Sequence, residues 1–179
     1  MAEIKSAVEL AMEKTNGLHL SREEKKRLQE EELKSKAQGL CNRFLAGDFH
    51  SREIERELLP YPSEQRTQIE KSLFQCLTDA IQLDQDNELI FHGMETLRQT
   101  SKNLTPKIRG LLREYQERKG KEYQRIEEII LDKWKRLGIS GSAVKVKVDG
   151  SPEWEDALAC FPLPFRKQLS QVQEELQKI

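Results

Sequence analysis

Asp84-x-Asp86-x-Glu88, with Glu95 at the twelfth place counting from Asp84, reproduces four ligand positions of a calcium-binding EF-hand loop. The sixth position, where the tight turn needs glycine, is Leu89. Leu89-Ile90-Phe91 reads as buried helix. Asp84 and Asp86 are therefore expected to flank a turn and to favour the next helix's N-terminus through its dipole. His92 has Glu88 four residues before it and Glu95 three after. A di-iron carboxylate site needs Glu-x-x-His twice plus two further glutamates. Here the order is His-x-x-Glu, and it occurs once. His19 and His50 stand alone in loops. There is no HExxH, GxSxG, GxGxxG or P-loop. Carboxylates number 31, so proximity alone singles out no acid–base pair. The reading is no catalytic residue, no metal site, no cofactor and no enzyme.

Charge is locally uneven. From Ser72 to Leu97 there are five acidic residues and no Lys or Arg. From Arg98 to Arg125 there are nine basic residues and three acidic. On an ideal helix Lys107, Arg118, Lys121 and Arg125 fall within about 60° of arc. That stripe has two readings. It tracks phosphates in a nucleic-acid-associated protein, or it is a solvated face that pairs with the acidic segment of this or another chain. Tyr115 and Tyr123 lie on the apolar side, away from the stripe.

Three cysteines (Cys41, Cys76, Cys160) are widely spaced, show no CxxC, and sit beside apolar neighbours. They read as reduced, buried thiols of a cytosolic protein.

The elements that must position these groups are mostly helices. Glu outnumbers Asp 24 to 7 and Leu outnumbers Val 23 to 5, ratios that follow helix propensity. A first amphipathic helix is expected over 2–15. Ser21-x-x-Glu24 is a capping box opening a second, over about 22–46. Its first half is almost all charge, with Glu23–Arg27, Glu30–Lys34 and Glu32–Lys36 four residues apart. Its second half carries Leu33, Ala37, Leu40 and Phe44 on one face. The segment 22–32 is thus expected to project. Ser51 caps a short helix stopped by Pro60, and Ser63 caps one running to about 83. Another helix is expected over 86–100. Both of the latter have wide apolar faces and should sit centrally.

Thr105-Pro106 opens a stretch running to Gly138. Ile108, Leu111, Leu112, Tyr115, Tyr123, Ile126, Ile129, Ile130, Trp134 and Leu137 fall within an arc of about 140°. The phase survives the polar interval from Gln116 to Glu122. Two separate helices would have no reason to stay in phase, so one helix is expected over about 106–137.

Val144, Val146 and Val148 alternate with Lys145 and Lys147, the pattern of a half-buried strand at about 143–148. No second β-rich segment occurs. The strand is expected to pair either weakly with residues 158–161 or with its symmetry mate across a two-fold axis. Trp154 and Leu158 share a short helix that Pro162 and Pro164 interrupt. Phe165, Leu169, Val172 and Leu176 in the last helix are spaced as a heptad seam, which faces either a partner helix or the chain's own core.

The net charge is −1, so no global polycation signal points to nucleic acid. The longest apolar runs are about five residues, far short of a membrane span. Met1-Ala2-Glu3-Ile4-Lys5 has no hydrophobic stretch, so neither a secretory nor a mitochondrial leader is expected.

The expectation is a single, mainly α domain over 1–179. It is an elongated helical bundle with one short strand, and 139–179 forms a strand-plus-helix subregion. It is expected to act in the cytoplasm as a non-enzymatic interaction or structural protein, homodimeric and with a further, unidentified protein partner. Val144, Val146, Val148, Phe165, Leu169, Val172 and Leu176 are the expected interface. Nucleic-acid association through the basic stripe is the alternative.

Overall fold

The computed structural model describes residues 21–141 and 144–178. The helix expected over 2–15, His19, and position 143 of the expected strand lie outside the described residues. The rest is mainly helical. Helix α1 spans Arg22–Leu45, α2 Ile54–Leu58, α3 Ser63–Asp79, α4 Glu88–Leu97, α5 Thr105–Arg136, α6 Pro152–Cys160 and α7 Leu163–Gln177. Short 3-10 turns occupy Ser51–Glu53 and Gln99–Asn103. No described helix is long and apolar enough to cross a membrane.

Helix α1 begins where its capping box requires. The Ser21 hydroxyl accepts from the Glu24 amide at 3.1 Å, and the Glu24 carboxylate accepts from the Ser21 amide at 2.7 Å. Residues 22–32 are all exposed, while Leu33, Ala37, Leu40, Cys41 and Phe44 are buried. Of the three expected charge pairs only Glu32–Lys36 forms, at 2.7 Å; Arg27 turns instead to Glu31 at 3.7 Å. Such exposed pairs contribute at most a few tenths of a kcal/mol, so either partner serves equally well.

Ile69, Leu73, Phe74 and Leu77 of α3 meet Phe91 and Met94 of α4 and the buried face of α1 in the main core. Gly93 permits that meeting. A Cβ there would lie 2.8 Å from the Phe44 ring and 3.1 Å from Leu77.

Three boundaries correct the expectation. Helix α3 stops at Asp79 rather than 83, and α4 is limited to 88–97 rather than 86–100. At the far end of α4 the chain turns extended at Arg98 and enters a 3-10 turn; between the two helices Asn87, only 3% exposed, is the reason. Its side chain accepts from the Gln82 amide (3.0 Å) and donates to the carbonyls of Gln82 (2.7 Å) and Gln85 (2.8 Å). It therefore satisfies the main chain of a turn that would otherwise need helical partners. Ile81 and Leu83 continue the apolar rhythm but are buried from this turn, not from a helix.

Helix α5 is unbroken through Gly120. Its 32 residues extend about 48 Å. Thr105 is its first helical residue rather than its cap. Thr105 Oγ1 donates to the Ser101 carbonyl at 2.9 Å. Ile108 and Tyr115 join the main core, and Leu111 and Leu112 pack against it. Ile126 and Ile130 form a separate small core with Val148 and Trp154, flanked by Tyr123, Ile129, Trp134 and Val146. Phe161 packs against both cores, stacking on Tyr115 with ring centroids 5.6 Å apart and lying 6.2 Å from Trp154.

Between the two cores, Lys119 occupies a stripe position and meets Asp84 at 2.6 Å. Gln116 Nε2 donates to the Leu83 carbonyl at 3.0 Å. The polar interval of the sequence is thus a hydrophilic contact with the turn before α4.

No strand is present among the described residues. Residues 144–148 lie outside any helix and show the expected alternation: Val148 is buried, Val144 and Val146 are half-buried, and Lys145 and Lys147 are exposed. A strand needs a ladder partner, and alternation alone cannot supply one.

The cysteine reading also changes. Cys41 of α1 and Cys76 of α3 form a disulfide, with Cα atoms 6.5 Å apart, and Cys160 is exposed. Each paired cysteine lies on its helix's apolar side, as the sequence suggested. That those sides face each other is a tertiary fact.

Candidate interaction surface

The groups that looked most like chemistry are consumed by the fold. Arg109 of α5 grips Glu88 through Nε (3.0 Å) and Nη2 (2.8 Å) and reaches Glu95 at 3.5 Å. Its guanidinium also lies 4.9 Å from the Phe91 ring centroid. His92 Nδ1 lies 2.7 Å from the Glu88 carbonyl of its own helix. Asp86 accepts from the Glu88 amide at 2.9 Å, the turn-and-helix-start role expected of it. Asp84 accepts from the Tyr115 hydroxyl at 2.8 Å as well as from Lys119. Among the described residues no group of three or more His, Cys, Asp and Glu is arranged to hold a metal ion. Arg109 and Lys119 of the basic stretch thus pair within the chain with Asp84, Glu88 and Glu95 of the acidic one.

These contacts set the proton affinities. Burial pushes the Asp84 carboxyl up, but hydrogen bonds from Lys119 and Tyr115 outweigh it and hold the group below the usual range. The Arg109 hydrogen bond lowers Glu88, Arg125 lowers Glu122, and Lys133 lowers Glu153. Burial, reinforced by Asp84, pushes the Tyr115 phenol up.

A carboxyl whose folded pKa is depressed adds stability that is complete above its unfolded pKa and lost as pH falls through the folded value. The urea midpoint is therefore expected to hold from neutral pH to about 5 and to decline below about 4. A midpoint that stays level down to about pH 3 would contradict these pairings.

The basic stripe is only partly free. Lys107 pairs with Glu175 of α7 at 2.9 Å and Arg125 with Glu122 at 2.6 Å. Arg118 and Lys121 have no ion-pair partner among the described residues. They share a shallow surface with Glu114, Glu117 and Glu122. Alternating signs of charge are poorly suited to following a phosphate backbone.

The seven expected interface residues divide. Phe165, Leu169, Val172 and Leu176 are at most 6% exposed and belong to the main core. Phe165 meets Tyr115 edge-on at 5.5 Å. The heptad spacing therefore serves the chain's own core, and in this conformation those four side chains are not available to a partner helix. Gln173 and Gln177 lock the same helix to the end of α3, donating to the Thr78 carbonyl (2.8 Å) and to Asp79 (2.9 Å). Val148 is fully buried in the second core.

The far end of α5 is one of several places where large apolar side chains are exposed, alongside Leu59 (64%) and Leu163 (56%). Lys145, Val146 and Lys147 make no hydrogen bond through their main chain to other described residues. Among the described residues the main-chain bonds at this segment are Val144 N–H to the Gly141 carbonyl and Ser151 N–H to the Val148 carbonyl. Leu137 is 75% and Ile139 50% exposed nearby in sequence, and Trp134 is half-buried. The sequence reading placed Leu137 on the buried stripe and missed Ile139. Gly138, at φ +80°, marks where the helix ends and the stripe loses its cover.

No protein-family model matches the chain, and neither a curated protein nor a solved structure matches it.

Proposed function

We propose that this chain is a non-enzymatic interaction or structural protein of the cytoplasm, an elongated helical bundle that works as a homodimer through the far end of α5. One observation carries the reading. The second core is small and its flanking Tyr123, Ile129, Trp134 and Val146 are only half-buried, Leu137 and Ile139 just after α5 are exposed, and Lys145, Val146 and Lys147 make no main-chain hydrogen bond to another described residue. Exposed apolar side chains grouped at one end of a helix gain free energy when a second surface removes them from water. A second copy is the partner always present at matching concentration, and a two-fold contact needs only this one patch. The cytoplasm keeps thiols reduced, so in that compartment Cys41 and Cys76 are expected as two thiols, and the bridge forms under oxidising conditions.

Light scattering on the purified full chain tests the assembly. A mass of two chains is expected at micromolar concentration, returning to one chain when Leu137→Glu and Ile139→Glu are combined. Both positions are exposed, so the double variant retains its fold. A single-chain mass at every concentration up to about 100 μM, where a weak dimer of ordinary affinity would form, rejects the homodimer.

A further inference from the structure

We propose that the segment Val144–Val148 is an edge that accepts an added β-strand, and that its partner is an extended peptide bearing acidic side chains at alternate positions. The inference rests on the reading above only in taking the far end of α5 as the docking face. Two independent features support it. Burial alternates along Val144–Val148 as it does along a strand, and the main chain of Lys145, Val146 and Lys147 has no hydrogen bond to another described residue, although Val146 and Val148 anchor it to the second core. It therefore shows the side-chain pattern of a strand with no strand beside it among the described residues, the condition for recognition by strand addition. The opposite side presents Lys145 and Lys147, both exposed and neither in an ion pair with a described residue.

Those lysines also select the occupant. The run is bounded by the turn at Asp149-Gly150, where Gly150 has φ +77°. Within 144–148, every two-fold antiparallel register that pairs three residues or more sets a lysine opposite a lysine. Lys145 meets Lys147, or one of them meets itself. Like charges directly opposite are destabilising, and lysines on an edge are a known guard against self-pairing. A second copy is thus disfavoured at this edge even if it docks through Leu137 and Ile139. Glutamate or aspartate at alternate positions of an incoming strand would meet both lysines while its main chain completes the ladder.

The test is fluorescence anisotropy of a labelled Thr-Glu-Val-Glu-Val-Glu-Thr peptide titrated with the full chain at low salt. Saturable binding is expected. It should weaken by about tenfold or more in the variant combining Lys145→Glu and Lys147→Glu, whose helical circular dichroism should be unchanged. N-methylation of alternate peptide amides, which leaves every charge in place, should abolish it. No saturation at about 1 mM peptide, a weaker interaction than strand addition requires, would overturn the proposal. Equal binding of the N-methylated peptide would also overturn it. So would tighter binding of a single-stranded oligonucleotide to the same lysines, which would assign them to phosphate. The outcomes separate from the assembly test. A monomer that binds the peptide loses the homodimer and keeps this edge; a dimer that ignores the peptide does the reverse.

Discussion

Reducing the Cys41–Cys76 bridge is expected to lower the stability of the chain by about 3–4 kcal/mol, the largest effect available from a single bond in this fold. The bridge closes a loop of sequence separation 35 between α1 and α3. Opening it returns that loop's conformational freedom to the unfolded chain, while the native packing of Leu33, Ala37, Leu40 and Phe44 stays available. For a chain of this length the melting temperature should fall by roughly 10 °C in reductant. Alkylation in denaturant without reductant should label one thiol, Cys160; after reduction it should label all three cysteines. Three labels without reductant, together with a melting temperature indifferent to reductant, would show that the two sulfurs pack as neighbouring thiols.

Replacing Tyr115 tests how far the fold depends on the middle of α5. Its side chain is fully buried, touches the rings of Phe161 and Phe165, and donates to Asp84. Tyr115→Ala should cost about 3–5 kcal/mol, since a ring-sized cavity opens where α5, α7 and the linking Phe161 meet. Tyr115→Phe keeps the ring and removes only the hydroxyl, so about 1 kcal/mol is expected. Asp84 then keeps Lys119 alone, and its part of the acid sensitivity should shrink. Urea unfolding of both variants reads the difference. Equal losses would mean that the hydrogen bond, and not the ring packing, dominates at this site.

The long helix was legible because its pattern is redundant. Ten apolar positions hold one phase across a polar gap, and no other local structure preserves such a phase. The capping box of Ser21 with Glu24 was legible for the same local reason, whereas Ser63 is the first helical residue rather than a cap. The turn at 80–87 was not legible. Its stop signal is the Asn87 side chain reaching back to Gln82, while Ile81 and Leu83 go on imitating a helix. The strand illustrates the opposite error. Alternation of Val and Lys correctly gives which side is buried and which is wet, yet says nothing about whether a ladder partner exists. The heptad seam was legible as a buried stripe, but the identity of what buries it lies in the placement of α3 and α5. The candidate surface was half visible. The valines and lysines were singled out from spacing, whereas Leu137 and Ile139 stand out only once the end of α5 is seen to be uncovered.

Amide hydrogen exchange of the isolated full chain tests most directly whether the far end of α5 carries an open edge. The amides of Lys145, Val146 and Lys147 should exchange nearly as fast as in an unstructured peptide, while those of α5 on both sides of Gly120 exchange slowly as one continuous helix. Strong protection at 145–147 in the absence of any added peptide would show that the edge is already paired, and the proposed docking surface would not exist.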